Sequence, residues 1–319
     1  MELELTYKCS QQCFYCHNPP KDLKFYIADK APKPRSVIEM NELNLSEWIS
    51  VIDQIKRLDE KYEGIMDVVV TGGEPLLRSD LEEILSYITR QKLRHMLLSS
   101  GEPISDDRIT KLLESGLEKI RINLTSHKYV FNMQSLIMHI KNEVAKKINI
   151  TKKFKDFGVK EVGGNIVLTS YYLDFLEEIV KLAYKSNLDW IEIHSVIKVG
   201  HGYINQKFIV PDPIPIPTNW GEVGLVIAPN GDIYPGSEAT SIPLSKLGNI
   251  KNDSLIEIWF SNSLLNKIRS LSFLGEPCKS CEVKKLCRGG FRFNAYITKN
   301  DLFAPDPSCQ LVKDYIGKS

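Results

Sequence analysis

The chain has 319 residues, with 41 basic against 40 acidic side chains, 43% hydrophobic residues and 25% charged ones. A net charge of +1 excludes a global electrostatic pull toward nucleic acid or anionic membrane. No apolar run approaches the ~18 residues of a membrane span, and the N-terminus lacks a basic segment followed by an apolar one. A cytoplasmic protein of about two domains is expected.

In chain order, a strand is expected over Glu2–Tyr7, and Cys9, Cys13 and Cys16 follow it directly. Further strands are expected over Asp67–Thr71, His95–Ser99, Lys119–Thr125, Gly164–Thr169 and Trp190–Val196. Apolar runs such as Val68-Val69-Val70 suit parallel strands buried on both faces. Helices lie between them. Asn44 with Glu47 makes a capping box, and Ser79 with Glu82 predicts a second. Leu173, Leu176, Val180 and Ala183 stripe a later helix. The lysine-rich stretch from His139 to Phe157 is expected to be a solvated face and loop. Alternating strands and helices predict a parallel sheet.

The texture changes near residue 199. Pro211, Pro213, Pro215 and Pro217 favour an extended connector. Asn230-Gly231 between strand-like runs predicts a hairpin. Ser254 with Glu257 predicts the start of one helix carrying Leu255, Ile258, Trp259, Leu265 and Ile268. A boundary at 198/199 therefore divides the chain into domains 1–198 and 199–319. No internal repeat or low-complexity segment interrupts this order.

The seven cysteines fall in two groups, Cys9, Cys13 and Cys16, then Cys278, Cys281, Cys287 and Cys309. An odd count without a secretion signal argues against a disulfide framework, and clustered thiolates point to metal sites. Three thiolates can bind three irons of a [4Fe–4S] cube and leave the fourth open. Zinc would need a fourth ligand, and His17, adjacent to Cys16, is poorly placed to supply it. The four later cysteines have the ligand count of either a zinc knuckle or a second cluster.

The Cys9-x3-Cys13-x2-Cys16 spacing, with Phe14-Tyr15 before its last cysteine, resembles the hallmark of the radical S-adenosylmethionine superfamily. Gly72-Gly73-Glu74-Pro75 at the end of the second strand strengthens the resemblance. It implies a partial (β/α)6 parallel barrel, a [4Fe–4S] cluster on Cys9, Cys13 and Cys16, and S-adenosylmethionine on the open iron. In that family one electron from the cluster cleaves the sulfonium to a 5′-deoxyadenosyl radical, which abstracts a substrate hydrogen. The implied cofactor-binding residues are Tyr15, Gly72, Gly73, Glu74, Pro75, Ser99, Ser100, Asn123, Thr125 and Asn165, with the Val196-Ile197 backbone. Relatives often carry Thr-Asn-Gly where this chain has Ser99-Ser100-Gly101, and Ser-Leu-Asp where it has Asn123-Leu124-Thr125.

Residues 223 to 309 resemble the auxiliary-cluster extension called SPASM or, in reduced form, twitch. That implies a small α+β domain with an auxiliary [4Fe–4S] cluster on Cys278, Cys281, Cys287 and Cys309. Relatives place further cysteines where this chain has Gly236 and Phe291, so one auxiliary cluster is expected rather than two.

Glu192 and His194, which share one face of the sixth strand with Trp190, are the acid/base candidates; His201 and Tyr203 lie just beyond. The extension's family acts mainly on peptide or protein side chains, which predicts oxidative modification or crosslinking of a peptide. The alternative is a dehydrogenase or rearranging enzyme on a sugar, nucleoside or cofactor precursor. A non-catalytic zinc scaffold is the third class. The chain starts almost at the first strand, so a peptide is expected to dock directly or on a carrier. An electron donor such as flavodoxin or ferredoxin is implied. With every cysteine assigned to a cluster, no thiol remains to donate hydrogen, and net oxidation is expected.

Overall fold

The strands of the first unit share one direction. β1 (Glu2–Glu4), β2 (Asp67–Thr71), β3 (Arg94–Ser99), β4 (Lys119–Asn123), β5 (Glu161–Leu168) and β6 (Trp190–Ser195) pair in parallel as β6-β5-β4-β3-β2-β1. The chain is thus α/β, an open parallel (β/α)6 partial barrel followed by a smaller unit. This computed structural model describes residues 1–11, 13–17, 42–64, 66–125, 133–196, 202 and 217–317. Ile197, His201, Tyr203 and the prolines at 211, 213 and 215 lie outside the described residues.

Two compact units emerge, one of Met1–Val210 with Ile227–Gly231, the other of Pro211–Val226 with Asp232–Ser319. The excursion of residues 227–231 belongs to the first unit, where the Leu43 N–H donates to the Pro229 carbonyl at 2.6 Å.

Strand alternation sorts the first unit's faces. Ile120, Ile122, Val162 and Ile166 point one way and are fully buried, and α4 (Met133–Asp156) packs on β4 and β5. The opposite face carries polar rows in register: Arg121 opposite Gly163 opposite Trp190, then Asn123 opposite Asn165 opposite Glu192. Trp190, Glu192 and His194 therefore share the polar face, away from Ile191 and Ile193.

Local signals succeed where the cap is self-contained. Asn44 accepts from the Glu47 N–H at 3.0 Å and Glu47 accepts from the Asn44 N–H at 2.8 Å, closing the box that starts α1 (Leu45–Lys61). At α2 (Leu81–Arg90) the expected Ser79–Glu82 box does not form. The flanking residue is Asp80, and its carboxylate is taken by a two-pronged contact from Arg78 at 2.8 and 2.7 Å, while Glu82 pairs with Arg108. The predicted Leu173–Ala183 helix breaks into α5 (Ser170–Leu173) and α6 (Leu176–Lys185). Ile179 and Ala183 are buried, whereas Leu173 and Val180 face solvent.

In the second unit a two-strand antiparallel ladder joins Asp232–Tyr234 to Gly248–Asn249. Gly231, at φ 88°, donates to the Ala228 carbonyl at 2.8 Å, which makes the Asn230-Gly231 turn. The single helix predicted from Leu255 is two helices, Leu255–Ser261 and Ser263–Arg269. Asn262 causes the break: its side-chain oxygen accepts from the Leu264 and Leu265 N–H groups and caps the second helix.

Glu238 is buried in this unit and accepts from the Trp220 indole at 2.6 Å. Burial raises its pKa above the usual carboxylate range, against the opposing pull of that indole bond. The penalty is absent below the ~4.3 at which an unfolded glutamate titrates and grows as pH rises toward the higher folded value. Glu238→Gln should therefore raise the melting temperature at pH 8, and the gain should vanish at pH 4. A gain of equal size at both pH values would show that the carboxyl proton is irrelevant.

Candidate active site and cysteine centres

The first cysteine group is held from two sides. Gly72 and Gly73 end β2 by lying against the chain that leads from β1 into the cysteines. The Gly73 N–H donates to the Thr6 carbonyl at 2.6 Å and the Glu74 N–H to the Lys8 carbonyl at 2.8 Å. A side chain at Gly73 would put its Cβ 2.4 Å from the Lys8 oxygen, and one at Gly72, where φ is 141°, would meet the Thr6 oxygen at 2.5 Å. Close backbone approach is why glycine stands at both positions.

Glu74 is buried and its carboxylate is fully engaged. It accepts from Ser99 Oγ at 2.7 Å, from the Ser100 N–H at 2.8 Å, from Ser100 Oγ at 2.6 Å and from the Leu76 N–H at 3.1 Å. Glu74, Ser99 and Ser100 thus tie the ends of β2 and β3 together, and Pro75 opens a single 3-10 turn there.

On the other side, Phe14 and Tyr15 pack edge to face at 5.1 Å and join Val196, Cys13 and Val167 in an apolar cluster. The Tyr15 hydroxyl donates to the Thr125 carbonyl at 3.1 Å and accepts from the Asn123 amide at 3.0 Å. Asn123 accepts from the Thr125 N–H at 3.1 Å, and Thr125 Oγ1 from the Val167 N–H at 2.7 Å. These residues brace one another and the cysteine loop. Asn165 differs: among the described residues its buried Oδ1 has no hydrogen-bond partner. A buried polar atom left unpaired beside the strand ends fits a ligand that supplies a hydroxyl or amine.

The three thiols are mutually close. Burial pushes the Cys13 thiol far up, and the neighbouring Cys16 and Cys9 add to the push. In the second unit, burial followed by Cys309 and Cys287 raises Cys278 to about 11, with Cys281 contributing, so all four thiols meet there. Burial also raises Cys287, opposed by N–H bonds from Gly289 and Gly290 that favour the thiolate. Arg288, Gly289 and Gly290 all take positive φ, at 57°, 86° and 80°, and wrap the backbone around that sulfur. Among the described residues, no three such ligands converge tightly enough for a single metal ion.

Sequence reasoning named Glu192 and His194 but missed Arg121. Its guanidinium pairs with Glu192 Oε2, the same oxygen that lies 3.0 Å from His194 Nε2. Desolvation, then Arg121, holds the half-exposed His194 imidazole below its ordinary pKa. The carboxylate contact favours the tautomer that carries its proton on Nε2. Only strand pairing brings Arg121 alongside, since 71 positions separate it from Glu192.

The family model of the Radical SAM superfamily matches residues 3–189, over half the chain. The chain belongs to the radical SAM superfamily. The SPASM model, an iron–sulfur cluster-binding domain, matches residues 219–282. In fold the chain is similar to Streptococcus suis SuiB bound to S-adenosylmethionine, at 19% identity and a TM-score of 0.68, over 97% of this chain and 76% of SuiB. It is also similar to native anSMEcpe with bound AdoMet, at 16% identity and a TM-score of 0.65, over 99% and 95%. SuiB bound to its precursor peptide SuiA matches with a TM-score of 0.66 at 19% identity, over 97% and 75%. The radical SAM chain accordingly uses a [4Fe–4S] cluster that binds S-adenosylmethionine, S-adenosylmethionine itself, and an auxiliary cluster. Among the described residues no helix is long and apolar enough to cross a membrane.

Proposed function

We propose that this radical SAM protein modifies a side chain of a peptide or protein substrate, by net oxidation or crosslinking, in the cytoplasm. The observation that carries the reading is the likeness of both units together to SuiB, which binds a precursor peptide. Cys9, Cys13 and Cys16 hold the cluster that binds S-adenosylmethionine, and the Gly72–Pro75 backbone and Asn165 hold S-adenosylmethionine beside it. Bound there, the pair supplies one-electron cleavage of the sulfonium and a carbon radical that abstracts hydrogen. Tyr15, Asn123 and Thr125 keep the cysteine loop against β4, and Val196 closes the apolar side.

Glu192 and His194 act on the substrate's proton. Arg121 fixes the Glu192 carboxylate, which in turn orients His194 for its role as the base. Cys278, Cys281, Cys287 and Cys309 hold a single auxiliary cluster. Its singleness is supported by Gly236, where a side chain would lie 3.0 Å from both Glu238 Oε2 and Trp220 Nε1. That space is already filled. A flavodoxin or ferredoxin delivers the electron.

The test uses reconstituted protein, S-adenosylmethionine, dithionite and synthetic peptides encoded by short reading frames beside its gene. One peptide should raise 5′-deoxyadenosine formation above the uncoupled level and emerge two hydrogens lighter, with no solvent deuterium taken up. Turnover of a small molecule, with every such peptide returned unchanged, would replace this reading by a dehydrogenase.

A further inference from the structure

The lysine-rich helix α4 turns one face to solvent, as expected, and packs the other on the sheet. Lys141 reaches Glu178 at 3.4 Å, Lys153 reaches Asp106 at 2.8 Å and Lys155 reaches Asp189 at 2.6 Å, all at the surface. Lys147 is the exception. It is almost completely buried, its ammonium donates to the Ser100 carbonyl at 2.7 Å, and it lies 3.5 Å from the Glu102 carboxylate. Burying an ammonium costs several kcal/mol unless it is well paired, and here the nearest carboxylate is shared. Glu102 also pairs with Lys146 at 2.5 Å and accepts from the Gln11 side-chain amide at 3.2 Å. Both lysines feel the charge of Glu143 as well.

Gln11 sits inside the cysteine loop. Its backbone N–H donates to Cys9 Sγ at 3.4 Å, and its side-chain oxygen accepts from Cys13 Sγ at 3.9 Å. Glu102 holds the amide NH2 and so fixes Gln11, whose backbone N–H reaches Cys9 Sγ in a contact that a ligating thiolate keeps. Lys147, 3.5 Å from Glu102, therefore stands two contacts from the Gln11 that touches the ligating sulfurs. Charges and hydrogen bonds close to ligating sulfurs tune an iron–sulfur cluster's potential.

We propose that Lys147, Glu102 and Gln11 form an electrostatic line that orients the cysteine loop and sets the potential at which a cluster on Cys9, Cys13 and Cys16 takes up an electron. These are positioning residues. The inference rests on the assignment of the cysteine triad and is independent of the substrate.

The test is an EPR-monitored redox titration of reconstituted full-length protein, with iron measured first. It follows the signal that changes when S-adenosylmethionine is added, which separates this cluster from the auxiliary one. Lys147→Met removes a positive charge and should lower the midpoint potential. Glu102→Gln removes a negative charge yet keeps an acceptor for Gln11, and should raise it. Lys147→Arg should restore the wild-type value. Shifts of opposite sign are the signature that a purely structural role does not produce. Shifts in the same direction, or none, would overturn the proposal. If Lys147→Met binds no iron, an unchanged or lowered potential in Glu102→Gln overturns it alone.

Discussion

Replacing Cys9, Cys13 and Cys16 together by alanine should leave about four of about eight irons in anaerobically reconstituted protein, and no detectable 5′-deoxyadenosine. The loss is expected to be complete because the three thiols are grouped and the four others lie in the second unit. The fold should survive. The Phe14–Tyr15–Val196 packing and the Gly73 and Glu74 backbone bonds to Thr6 and Lys8 involve no sulfur ligand apart from the edge of Cys13. Cys281→Ala supplies the contrast, since it should retain some cleavage of S-adenosylmethionine while substrate turnover is lost. Iron unchanged in the triple variant, or stoichiometric zinc with little iron in the wild type, would refute the assignment of both centres.

Arg292→Met should cost on the order of 3–5 kcal/mol and empty the auxiliary site. Arg292 is fully buried. Its guanidinium donates to the carbonyls of Gly290 at 3.1 Å, Leu302 at 3.1 Å, Ala304 at 2.8 Å and Gly289. Those carbonyls lie on the segments that lead out of Cys287 and toward Cys309, so one side chain ties both ends of the ligand set. Methionine fills part of the volume and satisfies none of the four acceptors. Lysine should not rescue, because one ammonium cannot reproduce the planar fork. Iron should fall to about four and the melting temperature should drop, with cleavage of S-adenosylmethionine partly kept. An unchanged melting temperature with about eight irons would show that these carbonyls find other donors.

The parts of this protein legible in the sequence are those whose causes are local. Cysteine spacing, Gly72-Gly73-Glu74-Pro75, the parallel strand runs and the Asn44–Glu47 box each involve neighbours within a few positions, so pattern and chemistry coincide. The failures have one physical source. The expected Ser79–Glu82 box lost Glu82 to Arg108, and Asn262 split a helix whose apolar spacing ran straight through it. In both cases a polar side chain chose between competing partners, which periodicity does not register.

Tertiary structure alone decided which polar groups share space. Strand register set Arg121 beside Glu192 and His194, and pairing of β2 with β3 put the Glu74 carboxylate on Ser99 and Ser100. Packing of α4 buried Lys147 while its lysine neighbours stayed in water. The sequence by itself pointed to two thiolate metal sites and determined the fold class, because cysteine clustering and apolar periodicity are written along the chain. Which charge meets which sulfur or carboxylate depends on elements tens of residues apart, and only the folded sheet and its helices bring them into contact.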